Sequence, residues 1–85
     1  MAGTAHSDEY RDMVRALVAA RQNAGLSQAA LAGQLGRPPS YVAKFELGER
    51  RLDVVELLVI LRVLGADPLA FIEALLPKIP DKMPR

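Results

Sequence analysis

Glycine and proline divide this sequence into short segments, and that division limits what the chain can fold into. Glycine most readily adopts the left-handed conformation that ends a helix, whereas proline is tolerated in a first helical turn but not in a helix interior. No segment alternates between apolar and polar residues as a strand bounded by hairpin turns would. The sequence therefore predicts an all-α chain of five short helices with tight connections. The dividing positions are Gly25, Gly36, Pro38, Pro39, Gly48, Gly65, Pro68 and Pro77.

Capping residues set where the first three helices begin. Ser7 precedes a first helix over residues 8–24, along which apolar residues recur at three- and four-residue steps. Ser27 precedes the second helix. The third begins at Pro39, since each proline of the pair Pro38-Pro39 forces the residue before it out of helical geometry. The glycine that follows each of these segments is predicted to end its helix.

Capping residues also predict two further helices. Asp53 and Glu56 match a capping box, which begins a fourth helix that ends at the next glycine. Asp67 caps a fifth helix, which ends before Pro77. The second half of the chain is therefore predicted to be helical as well.

The chain has room for one domain, because its 85 residues can bury a single small core. We place that domain at residues 8–76, between a flexible start of residues 1–7 and a flexible, proline-rich tail of residues 77–85. Hydrophobic residues make up 51% of the chain, which is high for a small globule with a large surface to cover. Some of this apolar surface is expected to meet a partner.

Composition argues against several classes of protein. The chain lacks cysteine, so it forms neither a disulfide nor a thiolate metal site, and a cytoplasmic location is expected. His6 has no second metal ligand nearby, and Asp8, Glu9 and Asp12 are interpreted as complements of a helix dipole rather than as catalytic acids. No apolar run is long enough to span a bilayer. We expect no metal, no cofactor, no membrane contact and no enzymatic activity.

The charge is unevenly distributed, although the net charge of the chain is only +1. Residues 21–51 carry five basic and two acidic side chains, whereas the segments on either side each carry one more acidic than basic residue. The middle of the chain is therefore the part to which a polyanion would dock.

Residues 27–47 contain two short helices joined by a glycine turn. In this arrangement the first helix packs across the second and leaves one face of the second uncovered, as an α-helix needs in order to enter a major groove. The residues of the third helix without a core role form one outward stripe. They are Pro39, Ser40, Ala43, Lys44 and Leu47.

Several spaced segments match one known family in the expected order. They are Arg21-Gln22-Asn23-Ala24-Gly25-Leu26-Ser27-Gln28, Leu31-Ala32, Leu35-Gly36, Ser40-Tyr41-Val42-Ala43-Lys44-Phe45-Glu46, Gly48-Glu49-Arg50 and Leu64-Gly65-Ala66-Asp67-Pro68. In these segments the chain resembles the lambda Cro/repressor-like, or Xre-type, helix-turn-helix regulators, over residues 9–76. The resemblance implies a five-helix lambda-repressor-like fold, with its helix-turn-helix at about residues 27–47, that binds double-stranded DNA.

The resemblance also implies roles for individual residues. Gln28 matches a glutamine that contacts a phosphate and often supports the recognition helix. Arg21 and Glu46 match an interior ion pair between the first and third helices. The positions that face base edges in the family are Pro39, Ser40, Ala43 and Lys44. The positions where its contacts to the DNA backbone gather are Arg37, Tyr41, Arg50 and Arg51.

Four of these assignments have plainer alternatives. Arg50 and Arg51 can be an ordinary solvated pair, and Lys44 can extend over its own helix. Tyr41 can pack on the second helix with its hydroxyl exposed, and Gln28 can be a simple surface residue.

The third helix also departs from the family pattern. Pro39 stands where many members have glutamine, and both Pro39 and Ala43 can make only apolar contacts, such as one with a thymine methyl group. Ser40 and Lys44 are then the hydrogen-bonding base readers on this helix. Leu47 replaces a residue that is usually polar.

The fourth and fifth helices carry more apolar residues than one small core needs. One stripe of the fourth helix is enough to reach the core, and a second has nothing left to cover. We therefore predict a homodimer, in which two recognition helices lie roughly 34 Å apart on a palindromic operator. The alternative is an oversized core with a few exposed valines. The predicted interface consists of Val55, Leu58, Val59, Val63, Phe71, Leu75 and Leu76.

These features together predict a sequence-specific DNA-binding transcription regulator, with repression favoured over activation. The alternative is that the same fold mainly binds an unidentified protein, as an antitoxin or an adaptor would. The positive charge of the middle segment favours the first interpretation.

Overall fold

The computed structural model describes residues 7–84 and confirms the all-α fold of five helices. Within that range the chain forms no strand. Residues 1–6, which include His6 and most of the segment expected to be flexible, lie outside the described part of the chain, as does Arg85. The helices are α1 (Asp8–Asn23), α2 (Gln28–Leu35), α3 (Pro39–Leu47), α4 (Val54–Leu64) and α5 (Pro68–Leu75).

Side-chain caps begin four of these helices where the sequence predicts them, and at α5 the Asp67 side chain accepts a hydrogen bond from the backbone N–H of Leu69 at 3.0 Å. The Ser7 hydroxyl accepts a hydrogen bond from the backbone N–H of Tyr10 at 3.1 Å, and Ser27 does the same for Ala30 at 3.0 Å. At α4 the capping box is complete. These bonds satisfy amide groups that a helix start otherwise leaves without a partner, so they fix the first residue of each helix.

Glycines in the left-handed region end the two helices of the helix-turn-helix. Gly36 follows α2 with φ +72°, and Gly48 follows α3 with φ +81°. A side chain at either position would strain the backbone, whereas glycine reverses the chain there at little cost. The connection between α2 and α3 is therefore short, and the two helices pack closely.

The core is centred on the helix-turn-helix and α4. It is formed by Leu17, Leu31, Ala32, Val42, Phe45, Ile60 and Leu61, all of which are buried. Val42 and Phe45 lie on one face of α3, so the opposite face of that helix points away from the core. The Tyr10 hydroxyl accepts a hydrogen bond from the backbone N–H of Leu52 at 2.9 Å and ties α1 to the loop before α4.

The chain directly after α5 contains regular structure that the sequence did not predict. We expected no regular structure beyond position 76, yet Leu76–Lys78 form one turn of 3₁₀ helix. Pro77 fits this turn because it stands at the second position, within the first turn, where a missing N–H breaks no hydrogen bond. Further on, residues 80–84 lie beside Ser7, Asp8 and Glu9 at the start of α1. No helix within residues 7–84 is long and apolar enough to cross a membrane.

Candidate nucleic-acid interface

The outward face of α3 is exposed along its length. Pro39, Ser40 and Lys44 are exposed, Ala43 is half-buried, and the Leu47 side chain at the end of the helix is 72% exposed. The face therefore combines two polar side chains with three apolar ones. It has the dimensions and the accessibility that an α-helix needs to reach base edges in a major groove.

The opposite face of α3 holds the helix in place. Val42 is fully buried and Phe45 is 1% exposed, and α2 packs directly across them. The Tyr41 and Phe45 rings meet edge to face, with their centroids 5.8 Å apart. Since these contacts fix the rotation of α3 about its axis, the exposed residues are presented in a constant orientation.

A buried ion pair anchors the end of α3. Arg21 on α1 donates to both carboxylate oxygens of Glu46, with its Nε 2.7 Å from Oε2 and a terminal nitrogen 3.1 Å from Oε1. A further hydrogen bond of 2.9 Å runs from the Arg21 guanidinium to the Leu26 carbonyl. The two side chains are 11% and 7% exposed, so the structure brings together the residues that the family resemblance pairs.

Gln28 joins the same network from the start of α2. Its side-chain amide donates to Glu46 Oε1 at 2.8 Å. This contact supports α3, which is one of the two roles that the resemblance implies for this glutamine. Because an amide nitrogen carries two hydrogens, one N–H of Gln28 is not used by this bond.

Tyr41, Arg37 and Arg50 form a second cluster, on the flank of α3. The Cζ atom of Arg50 lies 4.9 Å from the centroid of the Tyr41 ring, and that of Arg37 lies 5.8 Å from it. Glu56 at the start of α4 accepts hydrogen bonds from the Tyr41 hydroxyl at 3.0 Å and from Arg50 at 2.7 Å. The sequence predicts for Glu56 only its part in the cap of α4, so these contacts with Tyr41 and Arg50 were not expected.

The phenol of Tyr41 is held in its neutral form. Burial raises the pKa of Tyr41 above its ordinary value, and the hydrogen bond to Glu56 and the Glu56 charge raise it further, against the opposing effect of Arg50 and Arg37. Near neutral pH the hydroxyl is therefore a hydrogen-bond donor. The Tyr41 hydroxyl can therefore donate a hydrogen bond to a carboxylate oxygen or to a phosphate oxygen.

Arg51 follows Arg50 in the loop between α3 and α4, but its side chain lies against α1. Its guanidinium carbon lies 4.4 Å from the centroid of the Tyr10 ring, and the residue is exposed. Arg37 and Arg50 thus lie against Tyr41 on the flank of α3, Arg51 lies against Tyr10 of α1, and Lys44 is exposed on α3 itself. This part of the surface has the cationic character that contacts with a phosphate backbone require.

The residues expected at a dimer interface do not all lie on the surface. Val55, Leu58 and Val59 are 68%, 40% and 47% exposed, as the second stripe of α4 requires. Val63 and Phe71, in contrast, are half-buried and pack against the core. The expectation that Val63 has nothing to cover inside the domain was wrong, because this residue lies one turn beyond the buried Ile60 on the core side of α4.

Two further residues of that set lie at the end of α5. Leu75 is half-buried, whereas Leu76 is 58% exposed. Exposed apolar residues on α4, on α5 and directly after it include Val55, Leu58, Val59 and Leu76, with Ile72 at 38% exposure. We call these five residues the α4–α5 patch.

The fold and the site define a helix-turn-helix domain. A short helix packs across a second one, whose outer face is exposed and whose flank carries cationic side chains, and three further helices complete the domain. Proteins of this class are DNA-binding transcription regulators.

Comparison with known proteins identifies the family. Residues 12–74 match the family described as helix-turn-helix domain. An Xre-family-like protein from Pseudomonas syringae pv. tomato str. DC3000 is 43% identical, with a TM-score of 0.79 over 85% of this chain and 88% of that protein. The chain therefore belongs to the Xre family of helix-turn-helix proteins. No curated protein is significantly similar to it.

More distant structures share the fold. The restriction-modification controller protein C.Esp1396I is 22% identical in its wild-type form, with a TM-score of 0.76 over 92% of this chain and all of that protein. A single-residue mutant of the same protein is 20% identical, with a TM-score of 0.75 over 86% of this chain and 92% of the mutant. At this level of identity the likeness shows a common fold.

Proposed function

We propose that this chain represses transcription by binding a palindromic double-stranded DNA operator as a homodimer, with α3 in the major groove. The exposed outer face of α3, held from behind by Val42 and Phe45, carries the proposal. A rigidly held helix with one uncovered face fits the width of that groove. Repression follows from occupancy, since a protein bound at a promoter excludes others from the same DNA.

The proposed contacts fall into two groups. Ser40 and Lys44 read base edges by hydrogen bonds, while Pro39 and Ala43 make apolar contacts such as one with a thymine methyl group. The second group contacts the phosphate backbone and sets the register of the protein on the duplex. It consists of Gln28, Arg37, Tyr41, Arg50 and Arg51.

The α4–α5 patch supports self-association. Val55, Leu58 and Val59 lie side by side on α4 and expose a large part of their apolar surface. Burying this surface against a second copy would remove it from water and would relate two α3 helices by a two-fold axis. The operator would then consist of two inverted half-sites with centres about 10 base pairs apart.

The same patch also favours a second candidate function, in which the domain binds another protein. An exposed apolar surface marks an interaction site without identifying its occupant. An antitoxin or adaptor of this fold would use the patch for a different chain. Sedimentation of the purified protein separates the two candidates, because a second copy gives a dimer without any added partner.

The proposal is tested by selecting binding sites from a pool of random duplexes with the purified protein. We expect enrichment of an inverted repeat with half-site centres about one helical turn apart. A reporter driven by a promoter that contains the selected site should be expressed less when the protein is present. Failure to enrich any consensus would refute sequence-specific binding, whereas enrichment of a single half-site would refute the dimeric mode alone.

A further inference from the structure

The carboxylate of Glu56 accepts three hydrogen bonds. Oε1 accepts from the backbone N–H of Asp53 at 2.9 Å and completes the cap of α4. Oε2 accepts both from the Tyr41 hydroxyl at 3.0 Å and from a terminal nitrogen of Arg50 at 2.7 Å. The Glu56 side chain is only 22% exposed, so these protein contacts supply most of its hydrogen bonding.

Tyr41 and Arg50, which donate to Oε2 of Glu56, are also two of the groups proposed to donate to a DNA phosphate. Tyr41 and Arg50 are both assigned to contacts with the DNA backbone, and both already donate to an anionic oxygen within the protein. A phosphate oxygen and a carboxylate oxygen are equivalent acceptors for a phenol and a guanidinium group. A DNA phosphate at this site must therefore compete with Glu56.

The geometry of Arg50 strengthens this competition. Its second terminal nitrogen donates to the Arg51 carbonyl at 2.9 Å, and its guanidinium lies against the Tyr41 ring. Glu56 neutralises the charge of Arg50 within a fixed, hydrogen-bonded arrangement, although the Arg50 side chain is 41% exposed. The cationic surface around α3 is accordingly weaker than a count of its arginines suggests.

We propose that Glu56 is an intramolecular competitor of DNA phosphate, which lowers the affinity of the domain for DNA of any sequence by occupying Arg50 and Tyr41. This inference rests on the proposed function, because it concerns the backbone contacts of the same interface. Phosphate contacts carry no sequence information, so the effect acts on arbitrary DNA and on operator DNA alike. Glu56 acts through Arg50 and Tyr41 and does not itself touch DNA.

Glu56→Gln is the informative variant. Glutamine also completes a capping box, so the oxygen that accepts from Asp53 is retained while the negative charge is lost. Glu49→Gln is the matched control, because it removes the same charge from an exposed residue of the loop that precedes α4. Thermal melts of both variants establish that the fold is unchanged before DNA is added.

The experiment measures binding of the purified protein to a 5′-labelled duplex of arbitrary sequence, about 20 base pairs long, over a range of salt concentrations. We expect Glu56→Gln to bind about two- to fivefold more tightly than the parent and Glu49→Gln to change affinity less. The slope of log affinity against log salt should steepen by up to about one unit for Glu56→Gln, since one more cation is available to a phosphate. In an Arg50→Ala background the gain should shrink to the part that Tyr41 supplies, and in an Arg50→Ala, Tyr41→Phe background it should disappear.

The possible outcomes separate this inference from the proposed function. Equal gains for Glu56→Gln and Glu49→Gln would mean that only net charge matters, and a loss of affinity for Glu56→Gln would mean that Glu56 orients Arg50 for binding. Either result overturns the inference and leaves DNA binding intact. If the parent binds neither this duplex at low salt nor any selected site, the proposed function itself fails, and this inference fails with it.

Discussion

Glu46 connects three helices through its two carboxylate oxygens. It accepts hydrogen bonds from Arg21 on α1 and from Gln28 on α2, while it belongs to α3 itself. Its position decides how rigidly the end of the recognition helix is held. The family resemblance pairs Arg21 with Glu46. The sequence does not show that Gln28 and Arg21 both donate to Oε1 of Glu46, because that depends on how α2 crosses α3.

Glu46→Ala is expected to destabilise the domain by about 3 kcal/mol, because it leaves the mostly buried Arg21 charge without its partner. Replacing Arg21 and Glu46 together with apolar residues should cost less than the two single changes combined. Urea denaturation of the four proteins of this double-mutant cycle measures the coupling. The control is the ion pair of Arg15 and Asp12 on α1, whose atoms lie 2.7 Å apart and whose side chains are 70% and 29% exposed. Removing it should change stability by less than about 0.5 kcal/mol.

Ser40 and Lys44 are the residues of α3 that can read bases by hydrogen bonds. We expect Ser40→Ala and Lys44→Ala each to weaken operator binding by about 1 to 3 kcal/mol and to relax the preference at particular base pairs. Arg51→Ala should instead weaken binding to all sequences and make the salt dependence about one unit shallower. Titrations of operator and shuffled duplexes at several salt concentrations distinguish the two effects, and parent-like operator binding by all three variants would contradict this docking mode.

At the scale of the elements, the sequence predicted the helices closely. Glycine, proline and the caps act locally, so Ser7, Ser27 and Asp53 fix helix starts without help from the rest of the fold. The turn at Leu76–Lys78 was not predicted, since Pro77 was taken to end regular structure, and the position of the tail beside the start of α1 was not predicted because it depends on residues far apart in the chain. The second partners of Glu56 were missed for the same reason.

The capping box of α4 gives a prediction at this scale. Asp53→Ala removes the side chain that accepts from the Glu56 backbone N–H at 2.7 Å, and it should lower stability by about 1 kcal/mol. Asp81→Ala in the tail removes the same charge from an exposed site and should leave the melting temperature nearly unchanged. Calorimetric or circular-dichroism melts of the two variants provide the comparison. Equal melting temperatures would show that the cap contributes nothing to the stability of α4.

For the whole molecule, the predicted dimer depends on the α4–α5 patch, whose residues the core leaves exposed. Sequence periodicity identified Val55, Leu58 and Val59 correctly as surplus to the core, and all three are exposed. It could not separate Val63 and Phe71 from them, because the packing of α5 on α4 decides which residues the core covers. What covers the patch in solution is a question about assembly rather than about the fold of one chain.

Val59→Glu tests the dimer. A glutamate at this position would meet its own copy near a two-fold axis, so we expect the variant to be a folded monomer while the parent is a dimer at micromolar concentration. Leu47→Glu is the control, because Leu47 is 72% exposed at the end of α3 and lies outside the predicted interface. Sedimentation equilibrium of the three proteins gives their masses. A monomeric parent at high micromolar concentration would refute the dimer, and unchanged association of Val59→Glu would move the interface elsewhere.

The central claim is that the outer face of α3 and the cations around it meet DNA. An amide NMR titration of the ¹⁵N-labelled protein with its selected operator tests this most directly, since it reports on every helix without altering a residue. We predict that the largest shift changes lie within residues 37–51 and at the start of α2, with smaller changes along α1. Changes confined to α4 and α5, or none at stoichiometric DNA, would contradict the claim.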